Sequence, residues 1–256
     1  MSKRCDVKLI CWNCNCALRK KYKLIAGYRP DILICPESES PEQLNHFNEK
    51  ITCTSHVWTG ERCTKGLSVL TFNGYSAEIA PFHNPDFQYI LPIIITTPQK
   101  QTFLLLAVWT KATAHVSRGY IVQACMAMQY YRPWFDENTI IAGDFNSNKL
   151  WDHNTRRRYN HSKLLELLAR DHFTSLYHYC YREFQGAETQ PTMFLHKNVF
   201  RPYHIDYVFI NTSKLFLVRD FAVGEYQDWI SASDHMPLLM EMREVFPKYY
   251  SQQISA

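Results

Sequence analysis

Short apolar runs of strand length alternate with amphipathic, helix-spaced stretches along the chain. Val7–Trp12 reads as a buried strand, and Leu18–Tyr28 then carries apolar residues at helical spacing until Pro30 stops it. The pattern predicts a second strand over Asp31–Cys35 and a helix over Glu42–Lys50. Leu67–Phe72, Tyr89–Thr96 and Phe103–Trp109 read as three strands separated by turn residues. Arg118–Phe135 is the longest helical candidate, Thr139–Ala142 is a wholly apolar strand, and His161–Arg170 is a further helix. Strands near His204–Ile210, Leu215–Val223 and Met236–Met242 close the series. No repeat and no break in composition divides residues 1–256, so one domain is expected. Strands interleaved with helices indicate an α/β protein. Because the strands come in hairpin-like pairs, two sheets packed together with helices outside fit the order best.

Composition narrows the class. Apolar residues make up 46% of the 256 and aromatics 14%, enough for a large rigid core and against a disordered chain. Lysine and arginine exceed the carboxylates by 28 to 24, an excess compatible with a polyanionic partner but not demanding one. The densest basic cluster is Arg156, Arg157 and Arg158. The cysteine count is nine, and Cys11, Cys35 and Cys125 lie inside apolar runs, which is how reduced proteins use cysteine. Cys11, Cys14 and Cys16 mimic a zinc knuckle, but no second Cys/His pair follows at a suitable distance, so core packing is the reading. MSKRCDVKLICW holds no signal-peptide core, and the Ile90–Ile95 run is too short for a bilayer and broken by Pro92. A cytoplasmic protein without a membrane partner is expected; oligomeric state is left open.

The informative feature is the recurrence of acids and amides just after strands: Asn13 and Asn15, Glu37, Asp144 and Asn146, Asp206, then Asp234 with His235. Strand ends project their next residues into whatever crevice the sheets share. Several carboxylates gathered there need positive charge, which a hard divalent cation of the Mg²⁺ or Mn²⁺ kind supplies through oxygen ligands. Each piece alone has a plain alternative. Asn13 and Asn15 suit a turn, Glu37 a surface loop, GDFNSN a glycine turn with an Asx cap, and SDHMP a loop. Their joint occurrence is what points to a metal site.

The ordered set IcWNcN, PDILicpE, GDFNsN, HIDYvfi and SDHmPL resembles the motif series of the endonuclease/exonuclease/phosphatase superfamily, reaching from residue 10 to residue 238. The stretches GDFNSN, WD, NHS, SLYHYC and QGAETQPT also resemble compact bacterial members of that superfamily. The resemblance implies a four-layer α/β sandwich with two central mixed β-sheets flanked by helices. It implies Glu37 as principal metal ligand, with Asp234, Asn13 and Asn15 nearby. Asp144 and Asn146 resemble the pair that orients and deprotonates the attacking water or holds a phosphate oxygen. His235 would bind the phosphoryl oxygen, with Asp206 fixing its tautomer. Two departures stand out: nuclease relatives commonly carry glutamine before the glutamate and lysine two after it, where this chain has Pro36 and Glu39. Trp109 or Thr110 stands where relatives place a tyrosine or histidine.

The implied activity is Mg²⁺- or Mn²⁺-dependent phosphodiester hydrolysis, with DNA or RNA as substrate. Trp109, Trp151, Arg157 and His204 are candidate substrate contacts: Trp151 and Arg157 belong to the polar, aromatic and basic segment 151–162, and His204 precedes Asp206 by two. Two rivals remain, an intracellular phosphatase of nucleotides or inositol phosphates with the same fold, and a catalytically silent binding module.

Overall fold

The computed structural model describes residues 6–45, 51–112, 119–152 and 158–243. Their elements run β1 (Asp6–Cys11), α1 (Leu18–Ala26), β2 (Ile32–Ser38), α2 (Pro41–Asn45), β3 (Ser55–Arg62), β4 (Lys65–Thr71), β5 (Ser76–Ile79), β6 (Ile90–Thr96) and β7 (Thr102–Trp109). They continue α3 (Ile121–Tyr131), β8 (Ile140–Asp144), α4 (His161–Arg170), β9 (Phe173–Ser175), α5 (Leu176–Tyr181), β10 (Met193–Phe194), β11 (Pro202–Tyr203), β12 (Asp206–Asn211), β13 (Val218–Val223), α6 (Tyr226–Trp229) and β14 (Leu238–Arg243).

Two six-stranded sheets form, ordered β13-β14-β1-β2-β4-β3 and β5-β6-β7-β8-β12-β9, with β10 and β11 as a separate hairpin. Each sheet is mixed: β1 and β2 run parallel in the first and β7 and β8 in the second, among otherwise antiparallel neighbours. The central strands are apolar on both faces because both faces are covered. Phe103, Leu105 and Ala107 of β7 enter the core between the sheets, while Leu106 and Val108 face a second core shared with α3 and α4. Helix α1 adds Leu18 and Ile25 to the first core. The expected sandwich of two mixed sheets with flanking helices is therefore what the chain forms.

Departures from the sequence reading fall where one-sided burial weakens the pattern. The edge strands β3, β5 and β9 were not expected: edge strands bury less, and polar residues such as Ser55, Thr59, Ser76 and Glu78 blur their alternation. The expected Arg118–Phe135 helix ends as α-helix at Tyr131, because Pro133 turns Arg132–Trp134 into a 3₁₀ turn. The Leu215–Val223 run splits into a 3₁₀ segment ending at Leu217 and β13. Residues 46–50 of the expected Glu42–Lys50 helix lie outside the described residues.

One glycine is dictated by the sheet itself. Gly143 pairs with Val108 across the β7–β8 ladder, and a Cβ there would stand 1.8 Å from the Val108 carbonyl oxygen. That oxygen is backbone in a central strand and has nowhere to move. Gly143→Ala should therefore destabilise the protein by about 3 kcal/mol or prevent folding, read by urea denaturation.

Candidate active site

The site starts from one rung of the second sheet. β8 and β12 pair antiparallel with Asp144 directly opposite Asp206. Side chains alternate along strands, and Ile140 and Ala142 of β8, like Val208 and Ile210 of β12, point into the core between the sheets. Asp144 and Asp206 continue those two series, so both carboxylates aim into the inter-sheet space at the strand ends. They are 0% and 1% exposed. Like charges facing each other across adjacent strands repel, and burial removes the water that would screen them.

The opposite sheet supplies the counter-charge. His235, just before β14, places Nδ1 2.9 Å from Asp206 Oδ2. One ligand atom each of Asp144, Asp206 and His235 lie within 4.8 Å of one another. Burial alone would depress the imidazolium; the Asp206 charge and hydrogen bond, with Asp144 and Asp234, outweigh it and raise His235 to about 10. Burial, then the charge of Asp206, raises Asp144 to about 7. The ring is thus a cation at neutral pH, wedged against the carboxylates.

Backbone contacts fix this geometry. The Trp12 indole donates to the His235 carbonyl at 2.9 Å, and Ser233 Oγ accepts the His235 N–H and donates to the Asn13 carbonyl. Phe194 N–H donates to the Asp234 carbonyl at 2.8 Å. Thr192 Oγ1 accepts the N–H groups of Ile205 and Asp206, holding the start of β12. Ser233 and Thr192 lie in the motif stretches SDHmPL and QGAETQPT, but the sequence assigned neither of them this role, since each acts through a partner distant in the chain.

Asp144 is held by three donors. Asn13 Nδ2 and Asn146 Nδ2 each lie 3.0 Å from Oδ2, and Asn146 N–H donates to Oδ1 at 2.9 Å. Asn146 Nδ2 also reaches the Thr110 carbonyl, which leaves Oδ1 as the amide atom able to meet a ligand. Asn148, the last residue of GDFNSN, ties the loop to the His204 carbonyl and the Tyr207 hydroxyl.

Glu37 stands in the first sheet at an irregularity of the β2–β4 ladder between Pro36 and Ser38, with φ of 62°. Bulges of this kind re-aim a side chain, and a left-handed glutamate costs free energy that the surrounding structure must offset. Its Oε2 is 2.8 Å from Lys65 Nζ. The strain has company: Asn15, Cys16, Ala17 and Asn146 also have positive φ. Glu39, where nuclease relatives carry lysine, accepts from Leu18 N–H at the start of α1 and pairs with Arg19. Lys65 instead delivers a lysine to Glu37 from β4, which the sequence reading missed because the two are 28 residues apart.

No family model and no curated protein matches the chain. Solved structures do. An AP endonuclease from Leishmania major superposes with a TM-score of 0.69 at 15% identity, over 96% of this chain and 90% of the other. The endonuclease domain of TRAS1, a telomere-specific non-LTR retrotransposon, gives 0.65 at 13% identity, over 93% and 98%. A 3′–5′ exonuclease from Neisseria meningitidis gives 0.62 at 15% identity, over 93% and 100%. The chain has the endonuclease/exonuclease/phosphatase fold.

Within that fold the residues singled out from the sequence separate into groups. Asn13, Asp144, Asn146, Asp206 and His235 are joined by direct hydrogen bonds or by the shared Asp144–Asp206 rung. Asp234 lies near enough to act electrostatically on His235 and Lys65, and Lys65 joins Glu37 to the group. Asn15 is bound through its backbone, its N–H donating to Asn13 Oδ1 and its carbonyl accepting from Lys21. Trp109 pairs with Asp144 across the sheet but is buried, so it cannot stack on a base as it stands. Trp151 is exposed and packs against Tyr203 at 5.3 Å. Arg157 lies outside the described residues. His204 corrects the expectation of a shared strand face with Asp206: β12 begins only at Asp206, and the His204 ring packs in a buried layer with Tyr177 and Tyr207. Burial lowers its pKa to about 4, so it is neutral and shielded from a substrate.

The dyad has a stability signature. His235 is raised from its ordinary 6.5 to about 10, so its contribution is complete below about pH 6 and is lost as pH rises through 10. In EDTA, His235→Gln should cost about 3 kcal/mol at pH 6 and progressively less towards pH 10, measured by urea denaturation. A cost independent of pH would mean that His235 is not an imidazolium here.

Proposed function

We propose that this protein is a divalent-metal-dependent phosphoester hydrolase, most concretely a nuclease that cuts DNA or RNA by water attack on a phosphodiester. The observation that carries the reading is the buried rung of Asp144 and Asp206 with the His235 ring against it. A binding module has no use for two carboxylates so arranged, which destabilise a fold unless they do chemistry.

The residues fit a hard cation. One carboxylate oxygen each of Asp144 and Asp206 lies within 4.8 Å of the other and of a His235 ring nitrogen, Asp206 Oδ1 is buried with no hydrogen-bond partner among the described residues, and Glu37 already attracts a positive charge in Lys65. Glu37 would hold Mg²⁺ or Mn²⁺, with Asp234 and Asn15 as its neighbours. Bound there, such an ion would supply charge to stabilise the oxyanions of the reacting phosphate and of the leaving group. The chain's own groups do the rest. His235, oriented by Asp206 through Nδ1, presents Nε2–H to a non-bridging phosphate oxygen. Asn13 and Asn146 hold the Asp144 carboxylate so that it can orient the attacking water and accept its proton. Thr110 and Ser233 fix these groups without touching substrate.

A phosphomonoesterase is the second reading, favoured by likeness to a 3′ phosphatase from Neisseria bound to product DNA hairpin, at a TM-score of 0.62 and 15% identity over 93% of this chain and 100% of the other. It uses the same groups and differs only in whether a second ester is present. No helix among the described residues is long and apolar enough to cross a membrane. The buried, unpaired cysteines Cys11, Cys35 and Cys125 support a cytoplasmic enzyme.

The test is cleavage of labelled single- and double-stranded DNA and RNA in Mg²⁺, Mn²⁺ or EDTA. Cutting should require metal and fall about a thousandfold in His235→Ala. Hydrolysis of a generic phosphomonoester with no cutting of any polymer would replace the nuclease with the phosphatase.

A further inference from the structure

Two ammonium groups converge on one buried indole beside the carboxylates. Trp109 ends β7 opposite Asp144, is 3% exposed, and packs edge-on against Tyr89 at 4.8 Å. Lys65, opening β4 in the first sheet, has Nζ 5.7 Å from the Trp109 ring centroid. Lys111, two residues beyond β7 of the second sheet, has Nζ 5.2 Å from the same centroid and 4.5 Å from that of Tyr89. The shelf therefore joins the two sheets where the carboxylates gather.

Fold stability does not account for these lysines. The Lys65 side chain stays 45% exposed, so solvent screens its pair with Glu37 and the pair adds little to stability. Among the described residues the polar partners of Lys111 are the Tyr89 hydroxyl at 3.5 Å and Glu61 Oε1 at 4.0 Å, and its side chain is 31% exposed. Each ammonium carries three donors and no acceptor. Two ammonium groups around one ring repel, and an anion with several oxygens would relieve that repulsion while using donors not taken up by Glu37 and Glu61. The buried rings hold the cations in place and are too well covered to bind a base themselves.

We propose that Lys65 and Lys111, seated on Trp109 and Tyr89, form a second phosphate seat that binds the phosphate next to the one cleaved. This rests on the nuclease reading and sharpens it: the preferred substrate carries at least two phosphates along a chain. Occupation of the seat would draw Lys65 from Glu37, leaving that carboxylate free to hold a divalent cation.

The experiment compares an oligonucleotide with bis(p-nitrophenyl) phosphate, which has one phosphate only, for wild type, Lys65→Gln, Lys111→Gln and Lys111→Arg. The ratio of kcat/KM values, oligonucleotide to single-phosphate diester, should fall about tenfold in each glutamine variant, mostly through KM, and recover in Lys111→Arg. The slope of log KM against log salt should drop by about one per lysine removed. An unchanged ratio, with both substrates losing equally or neither losing, overturns the seat. Should wild type hydrolyse neither compound, the nuclease reading fails and binding decides the seat separately. Calorimetric titration with 5′- and 3′-phosphorylated dinucleotides should then show binding about tenfold tighter than the unphosphorylated dinucleotide. That gain should be lost in the double glutamine variant, and the phosphorylated end that shows it gives the polarity. Equal affinity for all three dinucleotides overturns the proposal.

Discussion

The repulsion between Asp144 and Asp206 is the constraint around which this protein is arranged. Two carboxylates on one sheet rung, both out of water, cannot both stay ionised unless positive charge and hydrogen-bond donors meet them. His235 meets Asp206 and three N–H groups meet Asp144. The imidazole and the Asn13 amide come from the approaches of the first sheet, while Asn146 follows β8 of the second, so the packing of the two sheets completes what the local loop begins. Remove that packing, and Asp206 would lose its imidazolium and Asp144 its Asn13 donor.

The same requirement explains why irregular backbone collects here. Glu37 sits in a bulge with a left-handed backbone, Asn146 turns back onto Asp144 with positive φ, and the segment after β1 runs through three consecutive left-handed residues, Asn15 to Ala17. Regular strands would send these side chains past one another. Glu39 anchors the start of α1 at Leu18, which closes the sharp path out of β1. Left-handed backbone is one means by which these side chains converge, and it also occurs in other turns, as at Arg29, Lys100 and His172.

Charge is distributed with similar economy. Glu37 is matched by Lys65, Asp206 by His235, and Lys111 lies at the edge of the group with Glu61 4.0 Å away. Each sheet contributes both kinds of charge: Glu37 and Lys65 stand on β2 and β4 of the first, and Asp144 and Asp206 on β8 and β12 of the second, with Lys111 just beyond β7.

The sequence determined more than the fold class. Apolar runs located the central strands β1, β2, β4, β6, β7, β8, β12 and β14; burial on both faces leaves an unbroken pattern in β6, β7, β8 and β12, while β14 alternates. Acids and amides at their ends marked Asn13, Asp144, Asn146, Asp206 and His235 as one group, because a strand end is a place where a polar residue needs a reason. Three things only the tertiary structure decided. It showed Lys65 on Glu37 and Thr192 under Asp206, pairings between residues remote in sequence whose composition carries no signal. It turned His204 into a buried aromatic layer and Trp109 under two lysines, since a residue's facing depends on where its strand begins and what covers it. It also placed Asp144 and Asp206 on the same rung, because register is set by the pairing of two strands and is written in neither alone.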